Sequence, residues 1–150
     1  MHNGTANREV DVPITVDEQV KRLREVTGSG QLADVCHRLR IEIVTHFGSS
    51  ARPTGGITAR DVDVAIGFEH GAARDFLAAV NALMDLVPGD HLDVMDLDRA
   101  GPVAAKAALF DSDILFEAAQ SVTTERQIRA FMAYEDTRRL RELQLEMLRR

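Results

Sequence analysis

Three seven-residue runs constrain this chain most: Ile41 to Phe47, Val62 to Phe68 and His91 to Leu97. Each is rich in β-branched and apolar residues and bounded by turn signals, the pattern of a strand. The first runs straight into Gly48-Ser49-Ser50, so a strand ending in a tight turn is expected there. Between the second and third, Ala72 to Val87 sets Phe76, Ala79, Val80, Leu83 and Leu86 on one helical face, and Pro88-Gly89-Asp90 ends it. Ahead of the first strand, Thr15 and Glu18 have capping-box spacing, and Val16, Val20, Leu23 and Val26 follow at helical intervals. Thr27-Gly28-Ser29-Gly30 stops that helix, and Leu32, Val35, Cys36 and Leu39 mark a second.

After the third strand the pattern predicts a short helix from Val103 to Phe110 and a strand from Ile114 to Phe116. One long amphipathic helix is then expected from Thr123 to Arg150, with Leu140, Leu143 and Met147 in register. Helices, strands and helices in this order describe an α+β (mixed α/β) fold, a small mixed β-sheet covered by helices with a long C-terminal helix. Residues 1–12, rich in Asn, Gly and charge, are expected to be a flexible leader, and residues 13–150 a single domain.

Composition narrows the function. A formal net charge of −6 argues against direct nucleic-acid binding, which calls for a basic stripe. Arg138, Arg139 and Arg141 are interleaved with Asp136, Glu142 and Glu146 and read as a solvated helix face. Cys36 is the only cysteine; in its apolar setting it reads as a core residue. No apolar run suits a signal peptide or a membrane span, so a cytoplasmic protein is expected.

The chemistry concentrates in HFGSSARPTGGITARDVDVAIGF, residues 46–68. A Gly-Ser turn at a strand end can offer backbone N–H groups and a hydroxyl to a phosphate, and Gly48 lets the backbone approach closely. Arg52, just beyond Gly48 and Ser49, is a further nucleotide-binding candidate. Asp61 and Asp63 lie two apart on the expected second strand, so their carboxylates project from one face, roughly 7 Å apart at Cα. Two such carboxylates repel without a cation between them, and Mg2+ (or Mn2+) with phosphates completing its shell is the natural partner. The third strand brings Asp93 and Asp96, of opposite parity, so only one of them can face the same site. Three carboxylates holding metal would stabilise entering and leaving oxygens in phosphoryl chemistry, and the third can take a proton from an attacking hydroxyl. His46 reads as a packed histidine, and no His/Cys cluster supports zinc.

Gly48-Ser49, the D-x-D of Asp61-Val62-Asp63 and a later strand Asp resemble the signature of the DNA polymerase β-type nucleotidyltransferase superfamily. The small size, LDVMDLDRAGP and the closing FMAYEDTRRLRELQLEML resemble its minimal nucleotidyltransferase (MNT) branch, over about residues 31–148. The resemblance implies transfer of a nucleoside monophosphate, AMP from ATP, to an acceptor hydroxyl. It implies Ser49 on the triphosphate and Asp61, Asp63 and Asp93 as catalytic and metal-holding residues, Asp93 being preferred to Asp96 as the first Asp of its strand. It also implies a partner, a HEPN-type ribonuclease toxin that the MNT protein restrains as antitoxin by adenylylating a tyrosine, in a homo- or hetero-oligomer. The sequence departs from the pattern at Pro53, where glycine is common, and at Arg60, where serine is, and eleven residues separate Ser49 from Asp61. The rival expectations are a catalytically silent module that blocks a toxin by docking, and transfer to RNA.

Overall fold

The computed structural model describes residues 12–53 and 55–149. The leader expected over residues 1–12 lies, apart from Val12, outside the described residues. The chain forms α1 (Val16–Gly28), α2 (Gln31–Leu39), β1 (Ile41–Phe47), α3 (Gly48–Ala51), β2 (Val62–Phe68), α4 (Phe76–Leu86) and β3 (Leu92–Asp96). It continues through α5 (Pro102–Phe110), β4 (Asp113–Glu117), α6 (Val122–Asp136) and α7 (Arg138–Leu148).

The mixed α+β architecture is a four-stranded sheet in the order β3-β2-β1-β4. β1 runs antiparallel to both β2 and β4, while β2 and β3 are parallel. Alternation along the strands feeds two cores. Val44, Val62, Val64, Ile66 and Leu92 join Leu23, Leu32, Cys36, Ala79 and Leu83 of α1, α2 and α4 on one side. Ile43, Ala65, Met95 and Phe47 meet Ala105, Ala108, Leu109 and Ala130 of α5 and α6 on the other. A register shift between Ile41 and Ile43 turns Ile41 toward the first core despite its odd number. Cys36 is fully buried there, and burial pushes its thiol up to about 12, so it is an inert core group.

α1 opens on a reciprocal cap: the Thr15 hydroxyl accepts the Glu18 N–H, and the Glu18 carboxylate accepts the Thr15 N–H at 2.8 Å. α4 starts at Phe76 rather than Ala72, because Asp75 takes the cap by accepting the Ala78 N–H at 2.9 Å. The expected tight turn at Gly48-Ser49-Ser50 is a single helical turn, α3.

The long C-terminal helix is broken at Thr137 into α6 and α7. The Thr137 hydroxyl bonds the carbonyls of Ala133 at 3.1 Å and Tyr134 at 3.2 Å, competing with the backbone donors that would continue the ladder. No residue of α7 is buried. Among the described residues, no helix is long and apolar enough to cross a membrane.

One side chain ties the far end of the sheet together. Arg126, on α6, donates to Glu42 Oε1 at 2.8 Å, to Asp98 Oδ1 at 2.8 Å and to the Phe68 carbonyl at 2.9 Å. It lies flat over Gly67, where a Cβ would meet its Cζ at 2.6 Å. Arg126→Met would leave Glu42 without its cation and Asp98 with Arg74 alone, and is expected to cost about 2–3 kcal/mol, read from chemical denaturation midpoints. A midpoint equal to wild type would show that the network carries no stability.

Candidate active site

The site is built where β1 ends. Phe47 is extended, and Gly48 then turns to φ 74°, a left-handed conformation that side chains resist. Space imposes a second demand: a Cβ on Gly48 would sit 2.3 Å from Asp63 Oδ2. Backbone and carboxylate therefore touch only because the residue is glycine.

The turn is pinned from below. Ser50 Oγ and His46 Nε2 are 2.8 Å apart, and both residues are buried. Burial is the main force holding the His46 pKa below its ordinary value; Asp113 opposes it, while Arg24 and Arg52 add to it. A neutral His46 is thus a packed residue serving α3. Ser49, next to it, is half-buried between two cavities. One, of about 510 Å³, also involves Val16, Pro53, Ile57 and His91. The other, of about 450 Å³, is shared with Phe47, Gly48, Arg52, Ala107 and Asp111.

The carboxylates converge beside this turn. Parallel pairing sets Asp63 directly opposite Asp93, so the two side chains share the α5/α6 side of the sheet on neighbouring strands. Asp61 stands one residue ahead of β2. Asp63 is half-buried, and its pKa is raised first by desolvation, then by the charges of Asp93 and Asp61. Asp63 therefore senses both of its neighbours. The three acids are not drawn onto a single point, since among the described residues no three His, Cys, Asp or Glu side chains form a ready metal cage.

Asp96 is elsewhere. It pairs with Ile66 and so has the opposite parity. Arg74 Nη2 holds both of its oxygens, at 2.7 and 2.6 Å. The Arg52 guanidinium is engaged too, bonding Asp113 Oδ1 at 2.9 Å and the Ser112 carbonyl at 3.1 Å, so it borders the Ser49 cavity rather than pointing freely into it. Sequence reasoning missed the Arg74 and Arg126 networks. Their partners lie far apart in the chain, and no local spacing announces them.

Two outcomes follow from this geometry. Gly48→Ala combines a left-handed backbone with the contact on Asp63 and is expected to lose about 2 kcal/mol or more in denaturant titration. An unchanged midpoint would mean that the turn relaxes freely. For Asp63 the raised folded pKa favours the neutral acid. Its contribution is fully present below the ordinary carboxylate value and is lost as pH rises through the folded one. Asp63→Asn should accordingly raise the thermal midpoint at pH 7, with the gain vanishing below about pH 3.5. A variant less stable than wild type at pH 7 would contradict the repulsion.

No family model and no curated protein matches the chain. Solved structures do. A mutant MntA–HepT toxin–antitoxin structure aligns with a TM-score of 0.64 at 14% identity, covering 81% of this chain and 98% of that one. A toxin–antitoxin structure with AMP-PNP gives 0.63 at 15%, covering 81% and 98%. The tri-AMPylated HEPN toxin of Shewanella oneidensis in complex with its MNT antitoxin gives 0.62 at 14%, covering 88% and 99%. The fold of this chain is the fold of the MNT antitoxins.

Proposed function

We propose that the chain is a nucleotidyltransferase that moves AMP from ATP to a hydroxyl of a HEPN-type toxin and thereby acts as its antitoxin, in the cytoplasm. The observation that carries this reading is the in-register pair Asp63 and Asp93, with Asp61 beside them and Gly48 pressed against Asp63. The likeness in fold to antitoxins solved with AMP-PNP and with an AMPylated toxin supports it.

Asp61, Asp63 and Asp93 would hold Mg2+ or Mn2+, which neutralises charge on the entering and leaving oxygens. Ser49, with the bare backbone at Gly48, would hold the triphosphate beside them. Asp93, the exposed member of the pair, would accept the proton of the attacking hydroxyl. The acceptor oxygen then forms its bond to the α-phosphorus as the bond to pyrophosphate breaks.

The test is incubation with labelled ATP, Mg2+ and the toxin, followed by mass mapping of added AMP. Asp63→Asn and Asp93→Asn are expected to lose about 100-fold or more of the transfer. Asp96→Asn, whose carboxylate serves Arg74, should keep most of it. Activity lost in Asp96→Asn and kept in Asp93→Asn would overturn the assignment. A wild type that silences the toxin without modifying it would make the chain a docking module.

A further inference from the structure

A second cluster lies in the seam between α5 and α6, apart from the acids. Lys106 on α5 places its ammonium 4.3 Å from the centre of the Tyr134 ring on α6. The Arg141 guanidinium of α7 stands over the same ring at 3.7 Å. Two cations on one tyrosine gain from its π-face but repel each other.

Neither has an anionic partner among the described residues. The contrast with the adjacent Arg138 is plain, since it pairs with both Glu135 and Glu142. Arg141 is half-buried, not the solvated charge its sequence suggests. Its Nη1 bonds the Thr137 hydroxyl, while its Nη2 is buried with no acceptor among the described residues. Two cations without an anionic partner, in a protein with six excess negative charges, leave positive charge for an incoming carboxylate to meet.

The surroundings are apolar. On α5, Val103 and Phe110 share the helical face of Lys106 and are 56% and 44% exposed. On α6, Phe131 precedes Tyr134 by one turn and is 49% exposed. A cationic centre flanked by exposed apolar side chains matches a protein partner presenting a carboxylate among apolar residues, as on one face of an amphipathic helix.

We propose that this seam is the docking surface for an acidic, apolar helical face of the partner protein, whose carboxylate meets the positive charge of Lys106 and Arg141. The inference deepens the antitoxin reading, since it rests on there being a protein partner, but it does not depend on nucleotide transfer. Lys106 makes it unusually testable, because the chain has only two lysines, Lys21 and Lys106.

Carbodiimide coupling of the full-length chain to the HEPN toxin should join the Lys106 amine to an Asp or Glu of the toxin, as mapped by mass spectrometry. Lys106→Glu and Arg141→Glu should each weaken the complex about 30-fold or more, mostly through faster dissociation. Lys106→Arg should stay within about threefold of wild type. ATP binding should be unchanged in all three, which separates loss of docking from loss of the nucleotide site. Arg141→Glu also disturbs the α6–α7 break, so Lys106→Glu, with unchanged circular dichroism, is the deciding variant. Full affinity in Lys106→Glu, no affinity in the wild type, or coupling of Lys106 only to a second copy of this chain would each overturn the proposal. Docking lost in Lys106→Glu beside a wild type that never transfers AMP would sustain it while removing the transfer reading.

Discussion

Everything at the acid-bearing end of the sheet depends on one close approach, that of the Asp63 carboxylate to the side-chain-free backbone at Gly48. Parallel pairing of β2 with β3 sets Asp93 beside Asp63, and antiparallel pairing sets Phe47, the residue before Gly48, on the other side. Three strands thus fix a carboxylate pair against a turn without any long side chain to bridge them. Precision comes from backbone pairing, which resists displacement better than a flexible arm does. His46 and Ser50 extend the same logic beneath the turn, where a neutral imidazole spends its burial on holding α3.

The two ends of the sheet treat charge in opposite ways. At the far end, Arg126 meets Glu42 and Asp98, and Arg74 meets Asp96 and Asp98, so acid and base cancel within the fold. At the near end, Asp63 feels the charges of Asp93 and Asp61, and none of the three has an ion-pair partner among the described residues. A domain that neutralises its acids so thoroughly in one place has no physical difficulty doing so in another.

Most of the framework was legible in the sequence because strand and helix periods are local signals. The β-branched runs at Ile41, Val62 and His91 became β1, β2 and β3 within one residue, and the Thr15–Glu18 spacing became a working cap. The parity argument separating Asp93 from Asp96 needed only the alternation of a strand, and the structure puts the two residues on opposite faces. What stayed hidden was decided by tertiary contacts. The hydroxyl of Thr137 breaks a helix whose apolar spacing runs on undisturbed, and Asp75 shortens another. Arg141 looked like one more solvated charge until the fold laid it on Tyr134.

The contact between Gly67 and Arg126 binds two distant positions into a shared history. Any side chain at 67 would occupy the space the guanidinium now fills, so growth at 67 requires Arg126 to move or to be replaced. Once the arginine is gone, position 67 is released to grow and Glu42 loses its cation, while Asp98 keeps Arg74 and the Phe68 N–H. Substitutions among these four residues are consequently non-additive, because they share one guanidinium.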